Sequence, residues 1–97
     1  MAKSIMQTER ECYICAKLGF HTTENLEQHH CHHGTANRTI ADKDGLWVYL
    51  CHYHHLQVHD TDSEWDKTLP KEAQIRYMEY YERSIDEFRE RYFKSYI

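Results

Sequence analysis

Leu26–Asp60 reads LEQHHCHHGTANRTIADKDGLWVYLCHYHHLQVHD, and the fold is decided there. The stretch holds eight of the nine histidines and two of the four cysteines. Its spacing predicts a weakly patterned short strand over Asn25–His30, ending on a His-His pair. Gly34-Thr-Ala-Asn37 reads as a loop. Thr39–Asp44 is long enough for one or two helical turns, with Gly45 as a left-handed stop. Leu46-Trp-Val-Tyr-Leu50 is the clearest strand, apolar, aromatic and β-branched. Cys51 then turns the chain into a short helix over His54–Asp60.

Working outward, Cys12 and Cys15 lie upstream, separated by two residues, and Cys51 and His54 repeat that gap. Two such half-sites can clamp one tetrahedral Zn²⁺, with Zn–S of about 2.3 Å and Zn–N of about 2.0 Å. Four closed ligands leave no room for water, so this ion should hold the fold and perform no chemistry. His52 and His55 flank His54 and are competing choices for the fourth ligand. Cys31 sits with the other histidine cluster and reads as a small buried thiol.

A second ion is suggested by His55 and His59, four positions apart and therefore on one helical face. His29 and His30 arrive from the strand before the loop. Adjacent strand residues point to opposite faces, so both can serve one site only if the strand ends there. We assign His29 to the metal with His55 and His59, and His30 to general-base duty. Three imidazoles leave coordination positions open for water and a phosphate oxygen.

Length and charge set limits. Ninety-seven residues make one domain, and a mean hydropathy of −0.91 implies a small core that a metal staple would support. The net charge is −4, spread evenly: five Lys/Arg against seven Asp/Glu in 1–60, and seven against nine in 61–97. That excludes a protein gripping phosphate through bulk positive charge. Contact with nucleic acid would be local, through Lys17, Arg38, Lys43 and the site metal. The Cys-x2-Cys spacing and the absence of a signal-like N-terminus favour reduced thiols and a cytoplasmic location. No run is long and apolar enough to span a membrane.

The flanks complete the picture. Residues 1–11 read as a polar arm, frayed or loosely docked, and 12–60 as the metal-bearing domain. Residues 61–97 read as a linker, with Trp65 as its anchor, and one long amphipathic helix. Pro70 suits that helix's first turn. Ile75, Met78, Tyr81, Ile85, Phe88, Tyr92 and Tyr96 fall on one face. The face either packs on the domain or binds a partner protein. Trp47 and Tyr49 read as core and strand surface.

The succession Cys-x2-Cys, His-His, Asn in a Gly-bearing segment, apolar strand, Cys-x2-His-His and a final His resembles the HNH endonuclease superfamily, whose fold is the ββα-metal unit. HHCHHGTANR followed by GLWVYLCHYHH, with the AQIRYMEYYERSIDEFRERYFKSYI tail, is similar to small phage and prophage HNH-like proteins. The resemblance covers Cys12–Ile97. It implies a zinc-stapled α+β domain of ββα-metal type with a long C-terminal helix. It further implies metal-dependent hydrolysis of DNA phosphodiesters in a phage or prophage setting. His30 would be the base, and Asn37 would tie down the loop that aims it. His29, His55 and His59 would hold one Mg²⁺, Mn²⁺, Ni²⁺ or Zn²⁺, and Arg38 would grip a phosphate oxygen unless it pairs with Asp42. His32 and His33 stand where such proteins carry apolar or aromatic residues, and are either solvated or an extension of the site. Two other functions fit the same residues: an inactive nucleic-acid-binding zinc module, or an adaptor binding a phage or host protein through the C-terminal helix.

Overall fold

The computed structural model describes residues 2–97. Among them the order is α1 (Tyr13–Lys17), β1 (Leu26–His30), α2 (Thr35–Asp44), β2 (Trp47–Cys51), α3 (His52–Val58), α4 (Glu64–Tyr81) and α5 (Ile85–Tyr92). The fold is a small α+β arrangement around a two-stranded antiparallel sheet. The register pairs His29 with Val48 and His30 with Trp47. Alternation along the strands puts Glu27, His29, Val48 and Leu50 on one face, and Gln28, His30, Trp47 and Tyr49 on the other. The first face receives α3, whose His55 meets both Glu27 and His29.

β1 ends at His30, the condition under which both members of the His-His pair can face one cleft. The segment after it departs from expectation. Thr35, Ala36 and Asn37 are not loop but the first turn of α2, which starts four residues earlier than the sequence suggested. Gly34, at φ +94°, makes the entry, and Gly45, at φ +76°, makes the left-handed exit. A Cβ at Gly45 would also run into the Lys3 carbonyl, so that turn has no room for a side chain.

The arm is not frayed. Ile5 N–H donates to the Gly45 carbonyl at 2.9 Å, Ser4 Oγ to the Trp47 carbonyl at 2.6 Å, and the Trp47 indole N–H to the Ala2 carbonyl at 2.9 Å. The Gln7 side-chain oxygen accepts from Tyr49 N at 2.6 Å. The polar residues that made this arm look solvated are used to occupy the backbone and indole groups along β2.

The C-terminal helix is two helices. Glu82 takes a left-handed conformation, and Ser84 opens α5 with a capping box, its hydroxyl accepting from Glu87 N at 3.1 Å and the Glu87 carboxylate accepting from Ser84 N at 3.0 Å. α4 begins at Glu64 under a Ser63 cap, so Pro70 lies inside it. The break shifts the buried face: Leu69, Ala73 and Tyr77 of α4 and Phe88 and Tyr92 of α5 are inside, whereas Ile75 and Ile85 are exposed. Phe88 stacks on Tyr92 at 4.6 Å, and Tyr77 packs edge-on to Phe88. Trp65 packs partly buried against the same core. The central aromatic residues of this region are therefore committed to the domain itself.

One buried carboxylate fastens α5 to α2. Asp44 accepts from Arg91 Nε and Nη2 at 2.6 and 2.7 Å and from the Tyr92 hydroxyl at 2.7 Å. The Tyr81 hydroxyl donates to its backbone carbonyl at 2.8 Å. Desolvation and the Asp44 carboxylate together push the Tyr92 phenol well above its ordinary range.

Candidate metal centres

Cys12 precedes the short helix α1, Cys15 lies on it, Cys51 ends β2 and His54 lies in the first turn of α3. Their four ligand atoms all fall within 4.8 Å of one another. His54 Nδ1 stands 3.6, 3.4 and 3.3 Å from the sulfurs of Cys12, Cys15 and Cys51, and Cys15 Sγ stands 3.9 Å from Cys51 Sγ. A zinc tetrahedron with the bond lengths given above has S–N edges of about 3.5 Å and S–S edges of about 3.8 Å. The measured separations match those edges within about 0.3 Å, so the residues fit a zinc ion held by three thiolates and His54 Nδ1. His52 and His55 take no part in this set. Cys31 is fully buried elsewhere, its thiol pushed up by burial, and it stays out of both clusters.

A second set, His29, His55 and His59, also has ligand atoms within 4.8 Å of one another. The ring centroids form a nearly equilateral triangle, 5.2 Å from His29 to His55, 5.3 Å from His29 to His59 and 5.1 Å from His55 to His59. His29 is buried and His59 exposed, so the triangle is closed behind and open in front. Burial, seconded by the surrounding histidines, pushes the His29 imidazole down to about 3. It is therefore neutral near pH 7, the form that binds metal. Burial also lowers His59.

α3 supplies both centres. His54 faces the thiolates, while His55, about 100° further round the helix, faces β1. There Glu27 receives two imidazoles: His55 Nδ1 at 2.6 Å on Oε1 and His52 Nδ1 at 3.1 Å on Oε2. These hydrogen bonds, that from His55 first, hold the Glu27 carboxyl below the usual range.

The cleft in front of the triangle is lined by Gln28, His29, His30, His33, Arg38, His55 and His59. His30 Nε2 lies 3.0 Å from Asp42 Oδ1. A carboxylate only accepts, so in the neutral form of the ring Nε2 is the donor and the lone pair is on Nδ1. Asp42 is thus the partner of His30. A second groove, lined by His30, Thr35, Arg38, Thr39 and Asp42, adjoins the cleft, and Arg38 borders both.

Asn37 lies on α2, its Nδ2 donating to the Tyr92 carbonyl at 3.4 Å. It ties α2 to α5 and has no place in a loop. His33 stands at the rim, 5.9 Å from His29 and 5.7 Å from His59 between ring centroids, with Asp66 Oδ1 3.7 Å from its Nε2. His32 points the other way, fully buried among Tyr92, Tyr96 and Phe88. Glu27, Asp42 and Asp66, the carboxylates behind these histidines, carry no mark in the sequence spacing.

Comparison of the chain with family models, with curated proteins and with solved structures gives no match. No helix among the described residues is long and apolar enough to cross a membrane.

Proposed function

We propose that the chain is a metal-dependent DNA endonuclease of HNH type, its β1–β2–α3 unit being the ββα-metal element. One observation carries the reading: three imidazoles converge on a point in an open cleft that a fourth, His30, also lines. The thiolate cluster could staple the fold without help from the histidine triangle. A binding module without chemistry would leave the histidine triangle unused, and the burial of Phe88 and Tyr92 removes the centre of the surface an adaptor would offer.

His29, His55 and His59 would hold one divalent ion, which when bound supplies Lewis-acid stabilisation of charge on the phosphate and the departing oxygen. His30 Nδ1 accepts the proton of the attacking water as its oxygen bonds to phosphorus. Asp42 takes the hydrogen bond of Nε2, which leaves Nδ1 as the nitrogen able to serve as the base. The bond from phosphorus to the 3′ oxygen breaks, the leaving oxygen takes a proton from solvent water, and the products are a 5′ phosphate and a 3′ hydroxyl. Arg38, at the junction of cleft and groove, suits a non-bridging phosphate oxygen. DNA is approached through this local constellation, which is how a chain of net charge −4 can engage a polyanion.

Plasmid nicking with Mg²⁺, Mn²⁺, Ni²⁺ or Zn²⁺ tests the reading. Wild type should nick with at least one of them, and His30→Ala should lose about 100-fold or more while its thermal melt is kept. Equal nicking by His30→Ala overturns the base assignment. A wild type inert with all four ions overturns the nuclease itself.

A further inference from the structure

We infer that Glu27 is the positioning residue of the histidine triangle: it dictates which nitrogen of His55 meets the ion and strengthens the site's hold on a divalent cation. This rests on the reading of His29, His55 and His59 as one metal site.

The geometry assigns the role. Glu27 Oε1 lies 2.6 Å from His55 Nδ1, and Oε2 lies 3.1 Å from His52 Nδ1. Both carboxylate oxygens are thereby occupied by imidazoles, so Glu27 stands behind the ligands and is not one of them. A carboxylate can only accept, so His55 must donate from Nδ1 and present Nε2 to the triangle. An imidazole that donates its far N–H to a carboxylate is a more basic and better-oriented ligand, and losing such a partner typically costs ten- to a hundredfold in metal affinity.

Glu27 also lies two residues before His29 on the same face of β1. One carboxylate therefore keys the strand that carries one ligand to the helix that carries His55 and is capped by His59. His30 has its own carboxylate in Asp42, so the two imidazoles that must behave differently, one a ligand and one a base, are oriented by different acids.

The test uses the full chain with its thiolate centre loaded with zinc. Zn²⁺ and, separately, Ni²⁺ are titrated into the histidine site by calorimetry, for wild type, Glu27→Gln, Glu27→Ala, His52→Ala and His59→Ala. Glu27→Gln should bind at least tenfold more weakly, keep one tightly held zinc and melt within a few degrees of wild type before the second ion is added. His52→Ala should stay within threefold of wild type, because His52 touches Glu27 and not the ion. ¹⁵N spectra should show His55 protonated on Nδ1 in the metal-free wild type at pH 8, and a shift toward Nε2 protonation in Glu27→Ala, a change that a mere clamp between strand and helix would not produce. Glu27→Gln within threefold of wild type overturns the inference while leaving the triangle standing, provided His59→Ala abolishes binding. A wild type that takes up no second ion overturns the inference and the nuclease reading together.

Discussion

Replacing His32 by phenylalanine should make the domain more resistant to acid. The ring is fully buried, stacked at 4.7 Å on Tyr96 and beside Tyr92 and Phe88, and neither of its nitrogens has a hydrogen-bond partner among the described residues. Burial pushes its pKa from 6.5 down to about 3. The folded state therefore refuses a proton that the unfolded chain accepts. For such a depressed group, the contribution to stability is complete above pH 6.5 and is lost as pH falls toward 3. Below 6.5 the loss approaches about 1.4 kcal/mol per pH unit, and between pH 7 and pH 5 it integrates to about 2 kcal/mol.

That is a large share of the roughly 5–15 kcal/mol available to a domain of this size. Urea unfolding of wild type and His32→Phe at pH 7 and pH 5 measures it. Proton competition at the metal ligands is common to both proteins and cancels in the difference. The variant should lose about 2 kcal/mol less than wild type between the two pH values. At pH 7 it should be no less stable than wild type by more than about 1 kcal/mol, because the ring it removes carries two unsatisfied nitrogens. Parallel pH dependence in the two proteins would refute the argument, and would mean that the His32 nitrogens find partners, such as water, in solution.

Cys12→Ser removes one of three thiolates on which α1, β2 and α3 converge. Zinc content by elemental analysis should fall by at least one ion per chain and the melting point by at least about 10 °C, since about 2 kcal/mol already moves a domain of this length that far; full zinc content with an unchanged melt would remove the structural-zinc assignment. Asp44→Asn leaves Arg91 and the Tyr92 hydroxyl facing an amide in place of a carboxylate, and charge-assisted bonds of this kind are worth about 1.5–3 kcal/mol each. Denaturant titration should show a loss of about 2 kcal/mol for the partly exposed Arg91 pair, and a loss under about 0.5 kcal/mol would show that the network is decoration.

The two clusters that could each hold a metal ion were legible because ligand spacing is a local property. Cys12 and Cys15, and Cys51 and His54, advertise a shared ion by repeating one gap, and His55 and His59 do so by helical phase. The carboxylates behind them were not legible. Glu27 finds His55 only because the sheet register and the crossing of α3 bring the two together, twenty-eight positions apart in sequence. Asp42 sits four positions after Arg38, a spacing that suggested a pair along one helix, yet its carboxylate is given to His30 across the β1–α2 junction. Asn37 fails the same way: a Gly-bearing polar stretch looks like a loop until Gly34 and Gly45 are seen to bracket a helix.

The long C-terminal helix shows two signals in competition. Apolar spacing of three and four runs unbroken from Ile75 to Tyr96 and argues for one rod, while Ser84 and Glu87 argue for a new start. The cap prevails because the turn at Glu82 lets α5 fold back, so that Phe88 and Tyr92 reach Tyr77 and His32. Without that turn the HHCHH segment would have no aromatic lid, and His32 would have to be solvated.

α3 then acts as a shared beam. Seven residues are too few for a helix to be stable alone, so its orientation comes from what grips it: α4 and the sheet, which pack against it, the thiolate cluster through Cys51 and His54, and Glu27 through His52 and His55. His59, the ligand just beyond its last turn, inherits that orientation. The thiolate centre and the triangle are therefore separate in ligands but serial in mechanics: fixing the thiolate centre helps set the beam, and the beam sets two of the three imidazoles. A variant that loses the thiolate zinc should lose the second ion as well, whereas one that loses the second ion should keep the first.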